Sequence, residues 1–154
     1  PDLYPQLTGI QYLNFISDIY GVGKEQRNEL IIKYAALFEL TDNLGDIVSS
    51  YSHGMKQKLV IIGALVHKPK LLVMDEPFVG LDPKATYSMK EIMRDICAEG
   101  GAIFFSTHVL EVAEKLCNKI AIIKGGRLVA NGDTQDVIGN ESLEETFLEL
   151  YNEK

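Results

Sequence analysis

Apolar residues recur in a helical rhythm through the first third of the chain, then gather in short unbroken runs. Ile10, Leu13, Ile16 and Ile19 fall on one face of a helix that opens at Thr8-Gly9, and Gly21 and Gly23 end it. A second helix is predicted from residue 25 to residue 40, with Leu30, Ile31, Tyr34, Leu37 and Phe38 apolar. Residues 41–50 are polar, contain Gly45 and predict a turn region. A third helix is expected to start near Ser52 and to end before Pro69.

The rhythm then changes. Leu71 to Met74 is a wholly apolar run that ends in Asp75-Glu76-Pro77 and predicts a strand buried on both faces, as in a parallel sheet. Asp82 is a good N-cap, Pro83 a good first helical residue, and Met89, Ile92, Met93, Ile96 and Cys97 supply an apolar stripe. Gly100-Gly101 stops that helix. Residues 102–106 predict another buried strand, and Val109, Val112, Ala113 and Leu116 line the next helix. Residues 119–124 and 127–131 flank Gly125-Gly126, a hairpin signal. Two short helical segments follow, near 133–138 and 142–150. The expected class is α/β: a helical lobe, residues 1–66, before a strand–helix–strand–helix lobe, residues 67–154, whose sheet is partial.

Composition narrows the function. Hydrophobic residues make up 46% of the 154 and charged residues 24%, which suits a packed core rather than a disordered chain. The net charge of −7 argues against a general grip on nucleic acid or acidic lipid, so no nucleic-acid partner is expected and an anionic ligand needs a local pocket. Cys97 and Cys117 lack metal-ligand spacing and are expected to be two buried free thiols in a reducing compartment. The longest apolar run, Leu59 to Val66, is too short to span a bilayer, and Pro1-Asp2-Leu3-Tyr4-Pro5 does not read as a secretory signal. If a membrane is involved, this chain works beside it.

Four segments carry candidate chemistry. Asp75 and Glu76 end a buried strand, so both carboxylates lie at the sheet's carboxyl edge, where open α/β sheets bind ligands. One could hold Mg²⁺ through water while the other orients an attacking water; the plainer reading is a strand end followed by a polar turn. His108, in Ser106-Thr107-His108, follows the next strand and could donate to a phosphate oxygen, or simply cap a helix. Ser52 caps a helix whose N-terminus, with Gly54 allowing close backbone approach, suits phosphate; an ordinary capped helix is the alternative. Gly80-Leu81-Asp82-Pro83 starts a helix.

These four segments come in one order, and in that order the chain resembles the ATP-binding cassette (ABC) family, from its first residues to Asn131. Tyr51 to Gln57 resembles the family's signature motif, Leu71 to Glu76 its Walker B strand, Gly80 to Asp82 its D-loop and His108 its switch histidine. The resemblance implies a P-loop NTPase (RecA-like) fold with an N-terminal helical subdomain. It also implies ATP and Mg²⁺ as ligands. Asp75 would support Mg²⁺, Glu76 would be the general base and His108 would sense the γ-phosphate. Asp82 would cross a dimer interface. Ser52, His53 and Gly54 would contact ATP held by a second cassette subunit. The helical lobe would dock transmembrane permease subunits, at the cytoplasmic face of a membrane.

The match has departures. His53 stands where the commonest signature has its first glycine, and Met55 where it has glutamine; similar Tyr-Ser-x-Gly-Met variants occur in bacterial exporter-type cassettes. No Gly-x-x-x-x-Gly-Lys-[Ser/Thr] phosphate loop occurs. Gly23-Lys24 is a decoy, with Asp18 and Glu25 at the flanking positions, and Gln6 is not the family's Q-loop glutamine. The chain is therefore expected to be a C-terminal fragment lacking Walker A, inactive alone, with an uncovered sheet surface through which it self-associates. Two other readings are a soluble cassette ATPase of translation or DNA repair, and a fragment that only dimerises or docks.

Overall fold

The structure is a computed structural model that describes residues 3–152, and these gather into two compact units, residues 3–106 and 107–152. The first opens with α1 (Gly9–Ile19), where Thr8 and Gln11 form a reciprocal capping box: the Thr8 hydroxyl accepts from the Gln11 N–H at 3.3 Å, and the Gln11 side chain accepts from the Thr8 N–H at 2.9 Å. Its buried residues are Gly9, Tyr12, Leu13 and Ser17, while Ile19 is exposed. The expected stripe is corrected here, because Ser17 satisfies its hydroxyl on the Leu13 carbonyl at 2.7 Å and can sit inside. The second helix, α2 (Lys24–Leu37), stops short of the expected residue 40: Glu39 takes φ 55°, which no helix continues through. Leu30, Ile31, Ala35 and Phe38 are buried, and Leu37 is not.

Two single 3₁₀ turns, Thr41–Asn43 and Val48–Ser50, shape the polar stretch, and Val48 is fully buried. Then comes α3 (His53–Leu65). It packs on α1 and α2 around the fully buried Leu13, Phe38, Leu40, Leu59, Ile62 and Leu65, each worth roughly 1.5–3 kcal/mol of apolar burial.

β1 (Leu71–Asp75) and β2 (Ala102–Ser106) run parallel, joined by α4 (Pro83–Ala98). Asp82 caps α4 and Pro83 is its first residue, as the sequence predicts. Ala85, Met89, Ile92 and Met93 are buried, but Cys97 is exposed. Eight residues on from Met89, Cys97 falls about 80° around the helix, at the margin of the stripe. The strands also depart from expectation: one face is buried, not both. Leu72 is inside, whereas Leu71, Val73 and Phe104 share the other side, with Val73 64% and Phe104 65% exposed. α4 packs on β2.

The second unit holds α5 (Leu110–Leu116), β3 (Lys119–Lys124), β4 (Arg127–Asp133), α6 (Thr134–Ile138) and α7 (Leu143–Asn152). β3 and β4 form the expected antiparallel hairpin, and Gly125 (φ 56°) and Gly126 (φ 75°) supply the two left-handed positions its turn needs. Val109 precedes α5 and is exposed rather than lining it. The core is Ile122, Ile138 and Leu143, packed by Leu110, Ala113, Ile120 and Phe147 among others. Among the described residues, no helix is long and apolar enough to cross a membrane.

Candidate functional site

The start of α3 is built by Ser52, whose hydroxyl accepts from the Met55 N–H at 3.2 Å. Helical bonding begins at Lys56, whose N–H meets the Ser52 carbonyl at 3.0 Å, so the amides of His53 and Gly54 lie outside the helical ladder. His53 keeps a negative φ, as its side chain requires. The serine hydroxyl accepts here, so its own proton stays available to a ligand.

The acidic tip is set by strand register. Asp75 pairs with Ser106 at the carboxyl end of the parallel pair. The Ser106 hydroxyl donates to Asp75 Oδ1. The Glu76 N–H reaches both the Ser106 carbonyl and the Ser106 hydroxyl at 3.2 Å. Glu76 takes φ 46°, a left-handed angle that costs roughly 1–2 kcal/mol for a residue with a Cβ. The chain thus leaves the strand sharply at the second carboxylate. Asp75 is exposed and Glu76 half-buried. Among the described residues, no group of three His, Cys, Asp or Glu converges as a self-sufficient metal site. One exposed carboxylate beside a hydroxyl fits a hard cation that arrives with phosphates and keeps most of its waters, as Mg²⁺ does.

Past the tip, Pro77 is buried, and the Val79 and Leu81 N–H groups fold back on the Glu76 and Phe78 carbonyls at 3.2 Å each. Gly80 takes φ 81°. This turn lies directly on α3. A methyl on Gly54 would come within 2.6 Å of the Gly80 carbonyl oxygen, and one on Gly80 within 2.9 Å of the His53 ring. The Gln57 amide donates to the Pro77 carbonyl at 3.4 Å, and the Lys58 ammonium lies 2.6 Å from Asp82 Oδ2. Asp82 Oδ1 accepts from the Ala85 N–H at 2.8 Å. The Lys58 contact first, then the Ala85 N–H, holds the Asp82 carboxyl below the usual carboxylate range.

Ser52, His53, Gly54, Asp75, Glu76 and Asp82 therefore all belong to the first unit, with the α3 start touching the turn that follows the acidic pair. His108 is the second residue of the second unit, two residues beyond the end of β2; it is exposed, and next to it the Val109 N–H meets the Thr107 hydroxyl at 3.1 Å. Sequence reasoning missed Lys58 and the contact made by Gln57. The signal was present: residues 54, 57 and 58 stand three and four apart, on one face of a helix.

Comparison with known proteins bears on the family and the fold. A family model described as an AAA domain, putative AbiEii toxin, type IV TA system, matches residues 12–114. The ABC-type transporter ATP-binding protein EcsA of Bacillus subtilis is 32% identical, over 99% of this chain and 64% of its own length. The Nod factor export ATP-binding protein I of Rhizobium etli is 33% identical, over 97% of this chain and 47% of its own length. A solved structure of the ATP-binding subunit of an ABC transporter superposes with a TM-score of 0.93 at 34% identity, covering 99% of this chain and 65% of that one. The chain thus spans roughly half to two thirds of the length of the proteins it matches. Its fold class is α/β of the P-loop NTPase type, a partial sheet preceded by helices. The matched model makes the chain a member of the AAA-domain family, and over nearly its whole length it is similar to ATP-binding proteins of ABC transporters.

Proposed function

We propose that this chain is part of the ATPase subunit of an ABC transporter, in which MgATP binding and hydrolysis by a dimer of cassettes drive a substrate across a membrane, in the export direction. The observation that carries this is the joint: two parallel strands ending together at Asp75, Glu76 and Ser106, followed by a turn seated on the serine-capped start of α3. Export is favoured by the name of the Rhizobium relative, a Nod factor export protein, and by the Tyr-Ser-His-Gly-Met signature.

In this reading Asp75 would help hold Mg²⁺, and Glu76 would take the proton of the attacking water. His108 donates to the γ-phosphate. Ser52, His53 and Gly54 present a hydroxyl and free amides to ATP held by the second cassette, and Asp82 reaches across to it. Mg²⁺, when bound, neutralises charge on the phosphates. Residues 1–66 act as the helical subdomain that docks the permease subunits, and residues 67–154 as part of the ATPase core. The protein works at the cytoplasmic face of the membrane.

Two experiments test this. In the intact subunit, Glu76→Gln is expected to lower ATP turnover by about a thousandfold or more and His108→Ala by about a hundredfold or more; turnover near the wild-type rate in Glu76→Gln would remove Glu76 as the base. The 154-residue chain alone contains no phosphate loop and is expected to bind MgATP very weakly and not to hydrolyse it. Micromolar binding of MgATP to this chain by calorimetry would refute that part.

A further inference from the structure

We infer that Lys58 is a positioning residue, which fixes the Asp82 carboxylate and ties the start of α3 to the turn that follows Glu76. The Lys58 side chain is only 13% exposed, whereas Asp82 is 44% exposed. A mostly buried ammonium thus holds one oxygen of a carboxylate that still faces outward, and the Ala85 N–H holds the other. Both oxygens being engaged, Asp82 has a set orientation rather than a mobile one.

The contact is the last of three along one face of α3. Gly54 meets Gly80, Gln57 meets Pro77 and Lys58 meets Asp82. The three partners lie within six residues of one turn, which starts immediately after Glu76. Movement at the Ser52 end therefore reaches the Glu76 end through packed, bonded groups with no slack loop between them. Lys58 is the charged member of the set. Lys84, a second cation near Asp82, is itself paired with Glu39 and is exposed. The Lys58 contact is the largest cause holding the Asp82 carboxyl below its ordinary range.

This rests on the proposed nucleotide function for what the coupling achieves, but not for the contact itself, so the test has two parts. In the 154-residue chain, the Asp82 side-chain carboxyl is followed by ¹³C NMR against pH. Its midpoint is expected to lie below the ordinary aspartate range in the wild type and in Lys58→Arg, and to return toward that range in Lys58→Met. An ordinary midpoint in the wild type overturns the contact. In the intact subunit, Lys58→Met is expected to lower kcat about tenfold with KM for ATP changed less than about twofold, and Lys58→Arg to restore most of it. An unchanged kcat in Lys58→Met overturns the positioning role, as does a loss that Lys58→Arg fails to recover. A wild-type subunit without ATP turnover defeats the nucleotide reading and the coupling with it, while the titration still decides the contact. Should Lys58→Met fail to fold, Lys58→Gln takes its place in both parts.

Discussion

Gly54 meets two opposing demands. It sits in the first turn of α3, where alanine would gain about 0.5–1 kcal/mol of helix propensity. The added methyl would lie 2.6 Å from the Gly80 carbonyl oxygen, a backbone atom that cannot swing aside. Overpacking of this kind costs about 1–3 kcal/mol, so the clash wins. Gly54→Ala is therefore expected to destabilise the chain by about 1–2 kcal/mol in urea unfolding. Gly45→Ala, where a methyl meets nothing within 4 Å, should stay within about 0.5 kcal/mol of wild type. Equal effects of the two would contradict the close approach. The thiols give a second residue-scale test. Cys97 is exposed, while burial pushes the half-buried Cys117 thiol up. Iodoacetamide at mildly alkaline pH is expected to label Cys97 well before Cys117, read by peptide mass spectrometry. Sequence periodicity placed both thiols inside, because it registers the stripe but not where a position falls at its margin.

Among the elements, helix starts were the most legible. Thr8, Ser52 and Asp82 each cap the helix the sequence assigns to them, since a side-chain oxygen meeting an N–H three residues on is a local event. The Gly125-Gly126 hairpin was legible for the same reason. The end of α2 was not, because Glu39 carries no sign of the left-handed angle it adopts. Nor was the docking of α3 on the turn after β1, which depends on long-range packing. That docking has a pH signature. The Asp82 carboxyl titrates below its usual range in the folded chain, so its contribution is present above the unfolded value of about 3.9. It is lost as pH falls through the depressed folded value. Because Asp82 is 44% exposed, screening keeps the effect below about 1 kcal/mol. The stability gap between wild type and Asp82→Asn, from urea unfolding, is expected to shrink between neutral pH and pH of about 3. A gap that widens in acid would contradict the Lys58 contact.

On the scale of the whole molecule, the order of helices before a partial parallel sheet was legible, because apolar rhythm distinguishes helices from strands. The burial of that sheet was not. An unbroken apolar run predicts cover on both faces, yet Leu71, Val73 and Phe104 form an exposed apolar face. Exposed sheet surface of this kind favours association. Sedimentation of the 154-residue chain is expected to shift to larger species as concentration rises, and Val73→Lys with Phe104→Lys to suppress the shift. A concentration-independent monomer would count against it. The candidate site was legible by type and order: Asp75, Glu76, Ser52 and Asp82 follow from motif spacing, whereas Lys58, Gln57 and the clamp between Gly54 and Gly80 appear only once the chain is folded.

In the function proposed above, the serine-capped end of α3 and the acidic end of β1 serve opposite halves of one nucleotide clamp formed by two copies of the cassette. Retention of radiolabelled ATP through gel filtration by the intact subunit tests it most directly. Glu76→Gln is expected to retain ATP in a dimer fraction, and adding Ser52→Arg to abolish both the retention and the dimer. ATP retained equally well by the double variant, or by a monomer, would contradict the account.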